Sequence, residues 1–163
     1  MPTSKEKIIL GIDPGIAITG YGIVKFHKKE IFMIKCGAII TNAKEIFGFR
    51  LNKLHLELNK IIKKYKPDEI AVEKLFFAKN AKTALKVGEA RGVINLTIWK
   101  NKKKLREFTP LQVKLALTGY GRASKKQIQI MVKQQLNLKE EPKPDDVADA
   151  LAIAICSAYT KEY

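Results

Sequence analysis

Short apolar runs separated by turn-forming residues dominate the first 40 positions of the chain. Residues 7–12 form a nearly continuous apolar run, which is typical of a buried strand. Pro14-Gly15 then favours a turn, and the apolar positions that follow alternate with polar ones, as in a half-buried strand. The pattern predicts a meander of three strands, at Lys7–Ile12, Gly20–Phe26 and Ile31–Ile40.

A helical period replaces this alternation from position 47 onward, where apolar residues recur every three or four positions. Short strands and helices then alternate, and each of two helix starts carries a capping signal. In order, the predicted elements are a helix at Phe47–Tyr65, a strand at Glu69–Glu73, a helix at Ala81–Trp99, a strand at Leu105–Thr109, and helices beginning near Pro110, Ser124 and Asp145. A meander followed by alternating strands and helices predicts an α/β domain with a mixed five-stranded sheet flanked by helices.

The length of 163 residues is sufficient for a core, and we expect a single domain over residues 1–163. Hydrophobic residues make up 46% of the chain, which argues against disorder. The apolar runs are too short to span a membrane, and the N-terminus lacks the apolar stretch of a secretory signal. Cys36 and Cys156 are too few for a disulfide scaffold, so we expect two reduced thiols in a cytoplasmic protein.

The charge of the chain is strongly unbalanced: 31 Lys and Arg face 16 Asp and Glu, giving a formal net charge of +15. Such an excess favours nucleic acid as the partner, because basic side chains neutralise phosphates and release counterions. A membrane surface is the weaker alternative, since no predicted helix sets an unbroken apolar face against a lysine face. A solvated lysine-rich surface without a partner is the simpler explanation for part of the excess.

Four carboxylates stand out against this basic background, namely Asp13, Glu73, Asp146 and Asp149. The first two end apolar strands, and the last two lie three residues apart on the final helix and so share a face. A carboxylate in apolar surroundings needs a partner, because burying it alone is costly. Grouped oxygen ligands of this kind hold Mg²⁺, and two such ions about 4 Å apart can promote an in-line displacement at phosphorus.

Taken singly, each acid also has a simpler structural explanation. These are a turn at Asp13, a salt bridge from Glu73 to Lys74 or Lys79, and helix capping by Asp145 and Asp146. The two histidines do not compete as catalysts: His27 lies in a lysine-rich turn, and His55 lies between leucines in the middle of a helix.

Seven short segments add a pattern of their own. They are Gly11-Ile-Asp-Pro-Gly15, Thr19-Gly-Tyr-Gly22, Ala71-Val-Glu73, Ala78-Lys-Asn-Ala81, Gly88-Glu-Ala-Arg-Gly92, Gln112-Val-Lys114 and Ala148-Asp-Ala-Leu-Ala-Ile-Ala154. In order and spacing they resemble the RuvC family of bacterial Holliday junction resolvases, over about residues 8–157. The resemblance implies an RNase H-like fold, a homodimer, and resolution of four-way DNA junctions in homologous recombination and repair by paired nicks that depend on Mg²⁺ or Mn²⁺.

The same resemblance implies roles for particular residues. The four catalytic, metal-binding acids would be Asp13, Glu73, Asp146 and Asp149, holding two ions per active site. Asp146 is preferred over Asp145 because the family pattern places an acid, two small or apolar residues, and then Asp-Ala-Leu-Ala. The residues that match DNA-contacting positions of the family are Phe76, Lys114 and Lys125. A pair of core aromatics is the alternative explanation for Phe76 and Phe77, and the RuvA–RuvB branch-migration complex is a further implied partner.

Three other functions fit the sequence less well. A sugar kinase or actin-like protein would need two domains of this α/β kind, and 163 residues cannot hold two of them. A non-catalytic DNA-binding module leaves the four acids unexplained, since acids repel phosphates. Another RNase H-like nuclease of the small resolvase type is disfavoured by the segments at residues 78–81 and 88–92.

The predicted helix at Ala81–Trp99 is a candidate for the dimer interface. Its small residues Ala84, Gly88 and Gly92 would let a helix of a second copy approach closely. Packing of the same small residues on the chain's own sheet is an equally normal arrangement.

Overall fold

The computed structural model of the chain describes residues 6–75 and 81–161. Its strands are β1 (Lys7–Asp13), β2 (Ile18–His27), β3 (Glu30–Ile40), β4 (Glu69–Glu73) and β5 (Lys104–Phe108). They form one sheet in the order β3-β2-β1-β4-β5. The first three strands pair antiparallel, whereas β4 runs parallel to both β1 and β5. The predicted mixed five-stranded sheet is therefore confirmed.

Helices cover both faces of this sheet. They are α1 (Phe47–Tyr65), α2 (Ala81–Lys100), α3 (Pro110–Thr118), α4 (Lys125–Gln135) and α5 (Asp145–Tyr159). The pair α1 and α2 packs over one face, where Leu54, Leu58 and Ile94 join the core. On the other face α5 lies against β1 and β2, with α3 and α4 packed against α5. The result is a three-layer arrangement in which α5 is the central helix of its layer.

Side chains alternate between the two faces of the sheet along β1 and β4, so only every second side chain of each strand faces α5. Ile9 and Ala71 pack in the core under α5, while Leu10, Ile12, Ile70 and Val72 pack under α1 and α2. Because side chains alternate between the faces of a sheet, Asp13 and Glu73 project toward the α5 side. The two strands are parallel neighbours, with Ile12 opposite Val72, so the two acids end adjacent strands at the same edge.

Two glycines bring the backbone of α5 directly onto the sheet. A Cβ atom on Gly11 of β1 would overlap the carbonyl oxygen of Ala150, and one on Gly20 of β2 would overlap that of Asp146. Only glycine leaves room for so close an approach of two backbones. The first turn of α5 is thereby seated over the ends of β1 and β2.

The element boundaries agree with the sequence predictions to within two residues. Thr109 and Ser124 each form the reciprocal side-chain to backbone bonds of a capping box, as predicted. Thr109 caps α3 rather than closing β5, which ends at Phe108. Across residues 6–75 and 81–161, no helix has the length and apolar character needed to cross a membrane.

Candidate active site

The four predicted acids come from three elements that meet at one edge of the sheet. Asp13 is the last residue of β1, Glu73 is the last residue of β4, and Asp146 and Asp149 lie in the first two turns of α5. All four are half-buried. The charges of Glu73, Asp149 and Asp146 all act on Asp13, so the acids lie within electrostatic range of one another.

Burial and mutual repulsion make this cluster unfavourable when all its members are ionised. Burial, with the charges of Glu73, Asp149 and Asp146, raises the pKa of Asp13 from 3.8 to about 8. Burial, with the charge of Asp149, raises the pKa of Glu73 from 4.5 to about 7. Burial also raises the pKa of Asp149, although Lys125 opposes the shift. A site with these properties favours any cation that can approach its oxygens.

Lys125 is the cation that the fold itself supplies. It is the first residue of α4, and its Nζ lies 3.5 Å from Oδ2 of Asp149 and 3.2 Å from Oδ2 of Asp145. Burial lowers the pKa of Lys125, but the charges of Asp149 and Asp145 and their hydrogen bonds outweigh that effect and raise it. The lysine is therefore held in its charged form at the rim of the acid cluster.

A cleft of about 220 Å³ opens beside these residues. Its polar lining consists of Glu73, Lys114, Lys125 and Asp149. Its apolar lining is Pro110, Val113, Ile128, Ala152 and Ile153. The structure thus brings both predicted lysines next to two of the predicted acids, with an apolar wall behind them.

The simpler explanations for the individual acids find little support. The N-terminus of α5 has no hydrogen bond from a capping side chain, so neither Asp145 nor Asp146 acts as its cap. Asp145 instead pairs with Lys125 and accepts a hydrogen bond from Gln129. Within the described residues Glu73 makes no ion pair with Lys74, and Lys79 lies outside them.

The acids could hold a divalent metal ion, because carboxylate oxygens are the ligands that Mg²⁺ and Mn²⁺ prefer. Burial and the charges of neighbouring acids raise the pKa of Asp13 and Glu73, and a dication would relieve both effects by neutralising the carboxylates. In residues 6–75 and 81–161, no group of three carboxylate, histidine or cysteine side chains stands close enough to hold a metal without adjustment.

Some predicted residues lie elsewhere. Phe76 and Phe77 fall outside the described residues, so the expected junction contact of Phe76 stays a prediction. His55 is bonded to the hydroxyl of Thr97 at 2.7 Å, across the α1–α2 interface, which agrees with a structural role. Cys36 and Cys156 are free thiols.

Sequence analysis missed a buried ionic cluster at the opposite end of β4. Glu69 is fully buried, accepts a 2.6 Å hydrogen bond from Ser157, and forms ion pairs with Lys7 at 2.7 Å and Arg106 at 3.4 Å. Arg106 also donates to the carbonyl oxygens of Ser157 and Thr160. The cluster ties the C-terminus of α5 to the three parallel strands. Its signal in the sequence was that Glu69 and Glu73 are four apart in one strand and therefore share a face.

The mixed sheet, with acids at the ends of adjacent parallel strands facing an acid-bearing helix, defines an RNase H-like nuclease. A family model described as "Crossover junction endodeoxyribonuclease RuvC" matches residues 9–157. The crossover junction endodeoxyribonuclease RuvC of Alkaliphilus metalliredigens is 53% identical over 156 residues, covering 96% of this chain and 95% of the relative. The chain belongs to the RuvC family.

Solved structures of the family agree with the fold. Thermus thermophilus RuvC superimposes with a TM-score of 0.87 at 33% identity, covering 93% of this chain and 94% of the other. T. thermophilus RuvC in complex with a Holliday junction substrate gives a TM-score of 0.85 at 30% identity, with the same coverage. The RNase H-like architecture expected from the sequence is therefore confirmed.

Proposed function

We propose that this chain resolves four-way (Holliday) DNA junctions by hydrolysis that depends on Mg²⁺ or Mn²⁺, with Asp13, Glu73, Asp146 and Asp149 as the catalytic metal ligands. Family membership supports the nuclease class and the junction substrate. The observation that carries the site assignment is the convergence of three elements on one acid cluster, in which burial, together with the charges of the neighbouring acids, raises the pKa of Asp13 to about 8.

Each part of the cleft has a distinct task in this proposal. Asp13, Glu73, Asp146 and Asp149 would hold two divalent ions, whose chemistry would be to activate a water molecule and to stabilise the leaving oxygen of the phosphodiester. Lys114 and Lys125 line the same cleft and provide the positive charge that holds a scissile phosphate next to the acids. The net charge of +15 attracts the rest of the junction through its phosphates.

The lysine run at residues 100–104 has a more remote position. It follows the C-terminal end of α2 and leads into β5, whereas the acids lie at the opposite ends of the parallel strands β4 and β5. We therefore expect this run to add diffuse attraction for DNA and the cleft lysines to affect strand cleavage itself.

A cleavage assay with binding measured in parallel tests the site. Asp149→Asn and Glu73→Gln should lower the cleavage rate of a synthetic four-way junction by roughly 100-fold or more, while leaving its affinity close to wild type. Glu140→Gln, which changes an exposed acid in the loop before α5, is the matched control. A matching linear duplex should not be cut, and no cleavage should occur without divalent ions. Full activity of Asp149→Asn would refute the assignment, and equal cutting of linear duplex would favour a generic RNase H-like nuclease.

We also propose that the active species is a homodimer formed through α2. Leu85, Leu96 and Trp99 of this helix are 69%, 57% and 79% exposed, which is unusual for large apolar side chains. They lie on one stripe of the helix with Gly92. A Cβ atom on Gly92 would meet no atom of residues 6–75 or 81–161 within 4 Å, so this glycine faces away from the chain's own sheet. The stripe is a mainly apolar surface with a shallow centre, and the exposed Glu89 lies between Leu85 and Gly92 on it.

The spacing of the stripe fits a second copy in antiparallel orientation. Leu85 and Trp99 lie seven residues before and after Gly92, so a two-fold axis at Gly92 would set each Trp99 against the partner's Leu85. The same axis would place Leu96 against Gly88. Because α2 begins at the active-site end of the sheet, two antiparallel copies would hold their sites roughly 30 Å apart, the length of a 20-residue helix. Two sites related by a two-fold axis match the two cuts that a four-way junction requires.

Disulfide trapping tests this interface. In a background where Cys36 is replaced by Ser, Gly92→Cys should crosslink to itself under mild oxidation, because the two copies meet at that residue. Gln134→Cys, on α4 across the sheet, is the matched exposed control and should stay uncrosslinked. Leu96→Glu should shift sedimentation at micromolar concentration toward the monomer. A dimer that persists in Leu96→Glu, with no crosslink at Gly92→Cys, would place the interface elsewhere.

The remaining expectations from the sequence are proposals of the same kind. A cytoplasmic location fits the two free thiols at Cys36 and Cys156. A single domain over residues 1–163 would unfold in one cooperative transition. Cooperation with a RuvA–RuvB complex would appear as faster resolution of a mobile junction when that complex is added.

A further inference from the structure

The side chain of Lys125 is shared between two carboxylates of different character. Its Nζ lies 3.2 Å from Asp145, whose side chain is 59% exposed, and 3.5 Å from Asp149, whose side chain is 32% exposed. Asp145 is itself held by a 3.0 Å hydrogen bond from Nε2 of Gln129, one turn further along α4. The four side chains form a connected row from the surface into the acid cluster.

This row places the ammonium group of Lys125 on Asp149, the same carboxylate that a divalent ion would use as a ligand. An ammonium group bonded to Asp149 neutralises one of the charges that repel Asp13 and Glu73. A metal ion that takes Asp149 as a ligand must therefore displace that ammonium. Left without another anionic partner, the displaced lysine would be repelled by the incoming dication.

We propose that Lys125 occupies the site as a stand-in cation, and that Asp145 is a positioning residue that receives it when a metal ion binds Asp149. Asp145 is not a metal ligand here; it acts through Lys125. The short transfer from Asp149 to Asp145 keeps the ammonium at the rim of the cleft, where the phosphate is expected. The inference rests on the proposed metal-binding function of Asp149 and adds to it the way in which the protein exchanges its own cation for the metal.

The proposal makes opposite predictions for the two partners. Lys125→Met keeps the aliphatic stem and removes the competing charge, so Mn²⁺ should bind more tightly to the DNA-free protein. Asp145→Asn removes the alternative partner, so Lys125 should stay on Asp149 and Mn²⁺ should bind more weakly. Partly exposed ion pairs correspond to roughly two- to fivefold in a binding constant, and we expect changes of about threefold in each direction.

A double-mutant cycle separates this mechanism from the loss of a nearby negative charge. The dissociation constant of Mn²⁺ is measured by titration calorimetry on the full chain, for wild type, Lys125→Met, Asp145→Asn and the double variant. If Asp145 acts through Lys125, Asp145→Asn should weaken Mn²⁺ binding in the wild-type background and have a much smaller effect once position 125 is Met. Asp145→Glu should restore binding, and Glu140→Gln is the control for a remote exposed acid.

The outcomes distinguish the two levels of the proposal. Equal effects of Asp145→Asn in both backgrounds would mean that Asp145 contributes only its charge, and the exchange mechanism would be wrong. Unchanged or weaker Mn²⁺ binding in Lys125→Met would likewise overturn it. Asp149→Asn is included in the same titrations: if it bound Mn²⁺ like wild type, the metal site itself would lie elsewhere and the proposed function would fail first. Thermal melts of each variant confirm that all the proteins compared are folded.

Discussion

Replacing Asp13 by Asn should stabilise the metal-free protein, and the stabilisation should grow as the pH rises. The reason is the position of Asp13 at the end of β1, half-buried and facing Glu73 and the two acids of α5. Its pKa is raised to about 8 in the folded chain, against 3.8 for an exposed side chain. An acid that is unfavourable for the fold but needed for the reaction is expected at an active site.

The sign and size of the effect follow from proton linkage. Between about pH 4 and pH 8 the folded state keeps a proton on Asp13 that the unfolded state has lost, so stability falls as the pH rises through this window. Each pH unit within it costs at most about 1.4 kcal/mol of unfolding free energy. From about pH 5.5 to about pH 8 the upper limit is therefore roughly 3 kcal/mol. Water entering the relaxed site and the nearby charge of Lys125 reduce this, and we expect about 2 kcal/mol.

The assay is urea unfolding of wild type and Asp13→Asn in a chelating buffer at a series of pH values. The difference in unfolding free energy between the two proteins reports Asp13 together with its coupling to Glu73 and Asp149, which are present in both. Glu140→Gln, which changes an exposed acid in the loop before α5, is the control for the loss of a negative charge away from the site. Added Mg²⁺ should stabilise wild type more than Asp13→Asn, because a ligand that binds only the folded state raises its stability.

A pH-independent difference between wild type and Asp13→Asn would refute the reasoning, since it would mean that Asp13 is ionised in the folded state throughout the range. The reasoning would also be refuted if Asp13→Asn were less stable than wild type at high pH. Either result would mean that a cationic or hydrogen-bonding partner keeps Asp13 ionised in the folded protein.

Three further predictions test other parts of the molecule. Glu69→Ala should lower the free energy of unfolding by about 3 kcal/mol in urea titrations, because it leaves the partly buried Arg106 and Lys7 without their buried anion; a loss below about 1 kcal/mol would contradict the ionic cluster. Gly11→Ala should abolish folding or cost several kcal/mol, roughly the upper range for core substitutions, because the new methyl group overlaps the α5 backbone; wild-type thermal stability would contradict that packing. Lys114→Ala should lower the junction cleavage rate much more than Lys102→Ala, and wild-type binding should weaken steeply with salt; equal losses or salt-independent binding would argue against the phosphate contacts.

Most of the fold was predictable because its signals are local. The apolar runs and helical periods fixed the kind of each element, and the capping signals at Thr109 and Ser124 fixed two helix starts. The common orientation of Asp13 and Glu73 could also be predicted from the sequence, since a two-residue period places the last residues of β1 and β4 on one side of the sheet. The spacing of Asp146 and Asp149 did the same for α5.

The parts that escaped prediction depend on how distant elements pack. The contact of Lys125 with Asp145 and Asp149 requires α4 to meet α5 at their N-terminal ends, which no pattern within either helix reveals. The choice between two roles for the small residues of α2 likewise depends on tertiary packing: the open space beside Gly92 shows that its stripe does not pack on the sheet.

The seating of α5 on Gly11 and Gly20 has a consequence for how the site responds to change. Elsewhere in the core, a helix rests on a layer of side chains that can rotate or exchange when one of them is replaced. At these two points the main chain of the helix contacts the main chain of the strands directly, without a layer of side chains between them. The distance between the main chains that carry Asp13 and the acids of α5 is thus limited by direct backbone contact. Substitutions in the surrounding core should alter how readily the protein unfolds while leaving the geometry of its carboxylates nearly constant.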